Sequence, residues 1–279
     1  MSRPLTEAMH TALIALYKLP ESITTLREGT LNALISRGLL DAHFSITPLG
    51  SITAIGRFPL EEQCRALHID LNTRKWDWSS SPEIDAYEMF RGEGYVGTYC
   101  EGGGFGAAIK ALCLDALTET SIFYGTSVNA REDACLKGVV GLSHVETPKL
   151  EKIFNQIQQC SKTTYLAAFA EITSYGFIRE WYPGLTLEFA DALFDAVPKS
   201  EFVRLAKWVS LHHTHRNGWP DLTLVKARRL KLVEVKTKDR LHCSQLVTIP
   251  ALMREINADI SVLQLVRSKP ALNPTQVRW

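Results

Sequence analysis

Two carboxylates and a lysine in the last quarter of the sequence have the types and spacing of a hydrolytic metal site. Asp221 follows Pro220 at the start of one apolar segment, and Glu234 and Lys236 lie in the next. Residues two apart on a strand project from one face, so Glu234 and Lys236 share a face. Mg²⁺ and Mn²⁺ prefer oxygen ligands, which the carboxylates and the main-chain carbonyl of Val235 supply. A bound metal would activate water for phosphodiester hydrolysis, and Lys236 would stabilise the developing negative charge.

Basic residues crowd around this motif. Seven lie between Lys226 and Arg240, against only Glu234 and Asp239. A solvated hairpin face is the ordinary explanation of such a run, but its overlap with the carboxylates favours contact with phosphate. The predicted nucleic-acid-binding residues are Arg216, Arg228, Arg229, Lys238 and Arg240.

The segments that carry the motif predict a mixed α/β domain. Residues 221–225 and 230–236 are short, rich in Leu and Val and separated by a charged turn, which predicts a β-hairpin. A helix follows from about His242, and residues 260–266 predict a final strand. Strands combined with a helical lead-in are typical of a sheet flanked by helices.

The region before the hairpin is mostly helical by pattern. Residues 105–117 carry an apolar stripe at helical spacing, which predicts one amphipathic helix with Glu101 just ahead of it. Residues 147–215 also predict helices, with Pro148, Pro183 and Pro198 as breaks.

The first 57 residues predict a small separate module. Residues 5–18 and 28–37 have helical spacing, the second ending at Gly38 as a C-cap, and residues 39–54 predict two short strands around a turn. This pattern is similar to a winged helix-turn-helix, which binds DNA or protein. We predict a module over 1–57, a linker or helical segment over 58–94 and a second domain over 95–279.

Composition excludes several classes of protein. The chain has 279 residues, 46% of them hydrophobic, which suffices for a sizeable core. Its six cysteines are scattered without a CxxC pair, so we expect reduced thiols and a cytoplasmic location, or one with DNA in a nucleoid or nucleus. The sequence has no run of about 18 apolar residues, so we expect no membrane span. The net charge of +1 argues against a protein that coats nucleic acid without preference.

Three other groups of residues have ordinary structural explanations. His212, His213 and His215 lack the spacing of a zinc site, and the end of a helix accounts for them. The glycine-rich stretch around residues 102–106 lacks the third glycine of a dinucleotide loop. Some aromatic residues would stack on bases, but packing is the simpler explanation; these are Trp76, Trp78, Tyr95 and Tyr99.

The motif as a whole resembles the VRR-NUC branch of the PD-(D/E)XK nucleases. The resemblance rests on an R-x-G-x-PDL strand, an EVK strand, an Asp-Arg-Leu turn and a downstream glutamine. The matching residues are Arg216, Gly218, Pro220, Asp221, Leu222, Glu234, Val235, Lys236, Asp239, Arg240, Leu241 and Gln245. It implies a restriction-endonuclease-like α/β sheet over 95–279, with the family core at about 200–279. It also implies that Asp221 and Glu234 bind metal, that Lys236 is catalytic and that Gln245 contacts substrate or metal-bound water.

The resemblance extends upstream and has two departures. Glu101-Gly102 before a helix is similar to the segment that supplies a third metal-binding carboxylate in the Fanconi-anaemia-associated nuclease group, which implies that Glu101 is a ligand. Only Thr237 and Lys238 separate the EVK lysine from the aspartate, where the group usually has Gly-Pro-Gly-like residues. Pro250 lies inside the helix after Gln245, which predicts a kinked or short helix.

These resemblances imply a Mg²⁺- or Mn²⁺-dependent DNA nuclease of flap-endonuclease or 5′-exonuclease type. By analogy with the group, its substrate is branched DNA, especially 5′ flaps, and its process is DNA repair. One alternative is a Holliday-junction resolvase, which would act as a homodimer. Others are a non-catalytic winged-helix regulator and a defence nuclease that cuts ordinary duplex DNA.

Overall fold

A computed structural model of the chain describes residues 4–77, 80–120, 129–137, 142–182 and 184–267. It contains an open, mixed five-stranded sheet with strand order β1-β5-β4-β3-β2. The strands are β1 Asp70–Trp76, β2 Val96–Thr98, β3 Leu222–Lys226, β4 Arg229–Lys236 and β5 Asp259–Arg267. β1 and β4 run parallel to β5, whereas β2, β3 and β4 pair antiparallel. The expected fold class, a mixed sheet flanked by helices, is confirmed.

Helices surround this sheet and form most of the core. In chain order they are α1 Glu7–Lys18, α2 Glu28–Ile35, α3 Pro48–Ile55, α4 Leu60–Leu67, α5 Pro82–Gly92, α6 Gly103–Leu112, α7 Leu114–Thr120, α8 Ala130–Lys137, α9 Thr147–Gln159, α10 Lys162–Ser174, α11 Gly176–Trp181, α12 Leu187–Ala196, α13 Lys199–Leu211 and α14 Cys243–Glu255. None of the helices in the described ranges is long and apolar enough to cross a bilayer.

Side chains alternate between the two faces of the sheet, as the pleat requires. On one face Leu222 and Val233 pack against Phe90 of α5. On the other face Leu232 and Val262 join a larger core to which α6–α14 contribute. The side chains of even-numbered residues of β4 therefore point to this second face.

The predicted hairpin is present and has the expected register. β3 and β4 pair from Leu222↔Val233 to Lys226↔Arg229. The two residues between them, Ala227 and Arg228, both have positive φ, 49° and 61°. This conformation matches the type I′ turn that connects twisted antiparallel strands, here formed without glycine.

The N-terminal segment has its own cluster of buried side chains from α1, α2 and the following loop. Its two helices lie close to where they were predicted, but the two predicted strands of 39–54 are wrong. Within the described residues 4–57 the only β pairing is a single bridge between Leu40 and Ile46. Thr47 then caps α3 by accepting a hydrogen bond from Gly50, and Pro48 occupies the first helical turn. The second half of the predicted wing is thus helical.

The segment 58–94 is more than a linker or helical segment. Besides α4 and α5 it contains the edge strand β1, which pairs with β5 from Asp70↔Ser261 to Trp76↔Arg267. Most of β1 is exposed. A strand with little burial carries no apolar alternation, so its pattern did not distinguish it from a loop.

The stripe over 105–117 belongs to two helices, not one. Cys113, which lies between α6 and α7, interrupts the helix because its φ of −136° is not helical. Leu112, Cys113 and Leu114 are all buried, so the apolar pattern continues across the break. The later helices α9–α13 follow the predicted pattern, while Pro183 lies outside the described residues. α14 continues past Pro250 to Glu255, so it is not short.

One buried glutamine connects the N-terminal region to the end of β4. Gln63 of α4 is fully buried, and its amide donates to the carbonyls of Ile55 and Leu241 at 3.1 and 3.3 Å. Its oxygen accepts from the Leu241 N–H at 2.7 Å. These bonds fix the turn that leads from β4 into α14.

We expect Gln63→Ala to lower the free energy of unfolding by about 1–3 kcal/mol, because it leaves buried main-chain groups without partners. Urea unfolding followed by circular dichroism measures the change. Gln158→Ala, an exposed change on α9, is the control and should stay within about 0.5 kcal/mol of the wild type. Equal stability of the two variants would show that the Gln63 contacts contribute nothing.

Candidate active site

Asp221 immediately precedes β3, and its side chain accepts a hydrogen bond there in place of a main-chain carbonyl. The paired register of β3 and β4 ends at Leu222↔Val233. The Asp221 carboxylate, through Oδ2, accepts a hydrogen bond from the N–H of Val235 at 2.8 Å. A side-chain acceptor thereby satisfies a strand N–H that lies beyond the ladder. This bond brings Asp221 to the same end of β4 as Glu234 and Lys236.

Glu234 and Lys236 project from one face of β4, as their spacing predicted. The Glu234 side chain is 1% exposed and its Oε1 lies 2.8 Å from the Lys236 Nζ. The same oxygen accepts from the Gln245 amide at 2.5 Å. The other oxygen, Oε2, is buried and has no hydrogen-bond partner among the described residues. A buried carboxylate oxygen without a partner is costly, and a ligand of positive charge would satisfy it.

Gln245 reaches Glu234 because the start of α14 holds it there. His242 is the N-cap residue, and the Gln245 Oε1 accepts from the His242 N–H at 2.9 Å. This is a capping box, in which the N-cap residue and the third residue of the helix satisfy each other's free main-chain N–H groups. The Gln245 amide group remains to donate to Glu234, so one side chain serves both the helix and the carboxylate.

Two glycines allow the chain to pack closely around these residues. Gly218 has φ +75°, and a Cβ there would lie 2.4 Å from the carbonyl carbon of Ser244. Gly102 has φ +64°, and a Cβ there would lie 2.9 Å from the Trp219 ring. Only glycine fits such left-handed, crowded positions without strain. The first contact seats α14 on the segment before β3, and the second seats the residue after Glu101 on Trp219.

The side chains surround a cleft of about 320 Å³. Its lining residues are Pro82, Glu83, Glu101, Asp221, Glu234, Val235, Lys236, Thr237, Asp239, His242, Ser244 and Gln245. The structure thus brings together all the predicted catalytic and metal-binding residues. The acidic residues outnumber Lys236, which makes the cleft suited to a cation.

Burial raises the pKa of both central carboxyls. The pKa of Asp221 rises to about 6, chiefly because burial disfavours its charged form, with smaller contributions from the charges of Glu83 and Glu101. The pKa of Glu234 rises to about 8, through burial first and then repulsion by Asp221. Lys236 opposes both shifts without overcoming them. A divalent cation would favour the ionised forms.

The donor set fits a hard divalent cation in part. Within the described ranges, no three His, Cys, Asp or Glu side chains converge closely enough to hold a metal by themselves. The unpartnered Glu234 oxygen and the nearby Asp221 carboxylate fit the oxygen preference of Mg²⁺ or Mn²⁺. Mg²⁺ keeps several waters and needs only one or two carboxylates, so the pair suffices as a partial ligand set.

The predicted nucleic-acid-binding residues are dispersed. Arg228 and Arg229 lie at the hairpin turn, the opposite end of β4 from the cleft, and Arg228 donates to the carbonyl of Asp195. Arg240 donates to the Arg57 carbonyl at 2.9 Å. Lys238 is exposed in the turn after β4, and Arg216 lines a second cavity.

The histidine and aromatic residues for which the sequence left a binding role open have packing contacts. His215 stacks flat on Trp208, with ring centroids 4.4 Å apart, and its Nδ1 lies 2.7 Å from the Trp208 carbonyl oxygen. Trp76 is buried and donates to Asp85. Tyr95 and Tyr99 contact rings of α5. Trp78 lies outside the described residues.

Two cleft residues were missed by the sequence analysis. Glu83 lies in the first turn of α5, after the N-cap Ser81 and Pro82. Its position there satisfies ordinary helix-capping preferences, so nothing local marked it. His242 was named only as the start of a helix; its spacing of three from Gln245 was the available signal for a capping box.

Comparisons with known proteins define the fold. No family model matches the sequence, and no curated protein matches it. A crystal structure of paFAN1 bound to 5′-flap DNA with a 2-nucleotide flap and a gap is similar, with TM-score 0.55 and 16% identity over 94% of this chain and 49% of that chain. Another, with a 1-nucleotide flap, has TM-score 0.54 and 17% identity over the same shares. The chain spans about half the length of paFAN1, and it shares the fold of that half.

The raised pKa values predict a pH-dependent stability of the metal-free protein. The folded state binds more protons than the unfolded state, so this stabilisation is complete below about pH 4. It is lost as pH rises through about 6 and about 8, the pKa values of Asp221 and Glu234. We expect Tm in EDTA to fall between pH 5 and pH 8, and to fall less in Glu234→Gln.

Differential scanning calorimetry across this range provides the measurement. Glu88→Gln, an exposed carboxylate on α5, is the matched control and should keep the wild-type slope. If Glu234→Gln and the wild type lose the same Tm over this range, Glu234 does not titrate as described.

Proposed function

We propose that this protein is a metal-dependent, structure-specific DNA nuclease that hydrolyses phosphodiester bonds at 5′ flaps or other branched DNA. The observation that carries this proposal is the buried Glu234 carboxylate, shared by Lys236 and Gln245, whose second oxygen is unpartnered beside Asp221. Ordinary packing does not account for an unpaired carboxylate oxygen inside a cleft. Perturbed, converging titratable groups are typical of active sites.

In this mechanism Asp221, Glu234 and the Val235 carbonyl would hold Mg²⁺ or Mn²⁺, and Glu101 and Glu83 line the same cleft. When bound there, the cation would supply Lewis acidity and lower the pKa of water for hydrolysis. Gln245 fixes the orientation of the Glu234 carboxylate by its hydrogen bond. Lys236 lies beside that carboxylate and stabilises negative charge on the phosphate as it develops.

Two lines of support favour branched DNA as the substrate. The sequence motif resembles nucleases of the Fanconi-anaemia-associated group, and the fold is similar to paFAN1 crystallised with 5′-flap DNA. The motif resemblance also implies a role in DNA repair. The exposed cations Lys238 and Arg216 provide phosphate contacts near the motif.

We expect cleavage of labelled 5′-flap DNA in Mg²⁺ or Mn²⁺, and none in EDTA. Lys236→Met should slow cutting by about 100- to 1000-fold, the usual cost of removing one group that stabilises transition-state charge. Lys149→Met, a change at an exposed lysine on α9 that lies outside the cleft, is the matched control and should retain most of the activity. Gel analysis of 5′-flap, splayed-arm, four-way-junction and duplex substrates measures both.

The same assay separates the alternatives. Cutting of the junction alone, by a dimer, would assign a resolvase instead, and equal cutting of plain duplex would assign a defence nuclease. Tight DNA binding without cutting in either metal would leave a non-catalytic regulator.

We also expect Glu83→Gln and Glu101→Gln to raise the Mn²⁺ concentration needed for half-maximal cutting, because fewer negative charges face the cation. Glu88→Gln, on the same helix as Glu83 but paired with Arg91 at the surface, is the control. A metal titration of the cleavage rate measures the effect. Unchanged metal dependence in both variants would exclude these carboxylates from the site.

A further inference from the structure

A second, larger cavity adjoins the cleft. Its volume is about 420 Å³, and α6, α8, α10 and α11 contribute to its walls together with the segment before β3. Glu101 lines both this cavity and the cleft, so the two spaces share one wall. Of its lining residues, only Glu101 and Arg216 have a role in the function proposed above.

The walls combine aromatic rings with cations. Phe177, Tyr182 and Trp219 line the cavity among aliphatic side chains. The charged lining residues are three cations and one carboxylate: Lys110, Lys137, Arg216 and Glu101. The Lys110 ammonium is buried in the wall and donates to the Cys135 carbonyl at 2.5 Å. Lys137 is paired with Asp133 at 2.9 Å, so Lys110 and Arg216 contribute most of the positive charge.

Two large aromatic side chains stand exposed on α11, and one of them, Phe177, lines the cavity. Phe177 is 54% exposed and Trp181 is 65% exposed. They are four residues apart on the helix, and their ring centroids lie 6.0 Å apart with an interplanar angle of 36°. Because Ile178 faces the core, α11 presents both rings outward. Such an exposed apolar pair beside a cavity marks a binding surface.

Flat rings next to cations suit an unpaired nucleotide. Every nucleobase has a π-face that stacks on aromatic side chains, and its phosphate is attracted by lysine or arginine. The volume also lies in the range of sites that enclose small ligands. A base pair would hide the faces of its bases inside the duplex, so only an unpaired strand offers them.

We propose that this cavity and the α11 rings bind an unpaired nucleotide of the DNA strand that leaves the cleft, with its base stacked on Phe177 or Trp181. The phosphate of that nucleotide faces Arg216 and Lys110. This inference rests on the proposed action on DNA. It makes α11 the element that distinguishes a branched substrate from a plain duplex.

The test places 2-aminopurine at successive unpaired positions of a 5′-flap substrate and titrates it with the full chain in EDTA, where binding occurs without cutting. We expect fluorescence quenching at one or two positions. Phe177→Leu with Trp181→Leu should abolish it and weaken flap binding by about 5- to 150-fold, since each stacked base contributes about 1–3 kcal/mol. Affinity for fully paired duplex should not change.

Two controls separate stacking from general packing. Phe177→Tyr with Trp181→Phe keeps both rings and should keep the quenching, while Leu187→Ala removes an exposed apolar side chain elsewhere and should behave as wild type. Equal quenching and affinity in the double leucine variant would overturn the proposal. So would competition by free dAMP without any quenching of the strand, because the cavity would then be a mononucleotide site.

The inference and the proposed function fail in different ways. Quenching at the unpaired position without cutting in Mg²⁺ or Mn²⁺ supports the cavity and overturns the nuclease. Flap cutting without quenching, unaffected by the double leucine variant, supports the nuclease and overturns the cavity.

Discussion

The site depends on the contacts of the Glu234 carboxylate, which Lys236 and Gln245 hold inside the protein. Burying an ionised carboxylate costs several kcal/mol unless charge and hydrogen bonds compensate. Here one oxygen has both partners and the other has none. The surrounding structure must therefore hold the carboxylate in a buried position that is unfavourable for it. The capping box, the close approach at Gly218 and the Gln63 bonds to Leu241 all act on the short turn and helix start that carry Gln245.

The sheet collects cleft residues from distant parts of the chain. Asp221 and Glu234 come from neighbouring antiparallel strands, but Glu83 and Glu101 come from α5 and from the loop after β2. Glu83 arrives on a helix that packs on the sheet, whereas Glu101 lies in the turn between β2 and α6. Burial among these packed elements, together with repulsion from neighbouring carboxylates, raises the pKa of Asp221 and Glu234 and favours a bound cation.

Local sequence patterns predicted the C-terminal half well because its signals are local. The hairpin follows from alternation and turn spacing, and the face shared by Glu234 and Lys236 follows from the pleat alone. Three features escaped because their causes are not local. β1 is a mostly exposed strand whose partner is β5, and the break at Cys113 lies inside one uninterrupted apolar stripe. Glu83 is marked only by its place in the cleft, where its charge acts on Asp221. The wing was mistaken because Thr47-Pro48 starts a helix within a β-like sequence.

The parallel pairing of β1 with β5 has a consequence for how the chain acquires its structure. Asp70 pairs with Ser261, which lies about two thirds of the chain length further on, so the sheet is complete only after β5 has been synthesised. Pairings of such long separation form slowly, because the loop entropy must be lost before the contact forms. The first helices, with a local cluster of their own, can fold on the ribosome much earlier. The acidic cleft is therefore assembled late in biogenesis. A chain that ends before β5 carries the motif without the complete sheet that supports it.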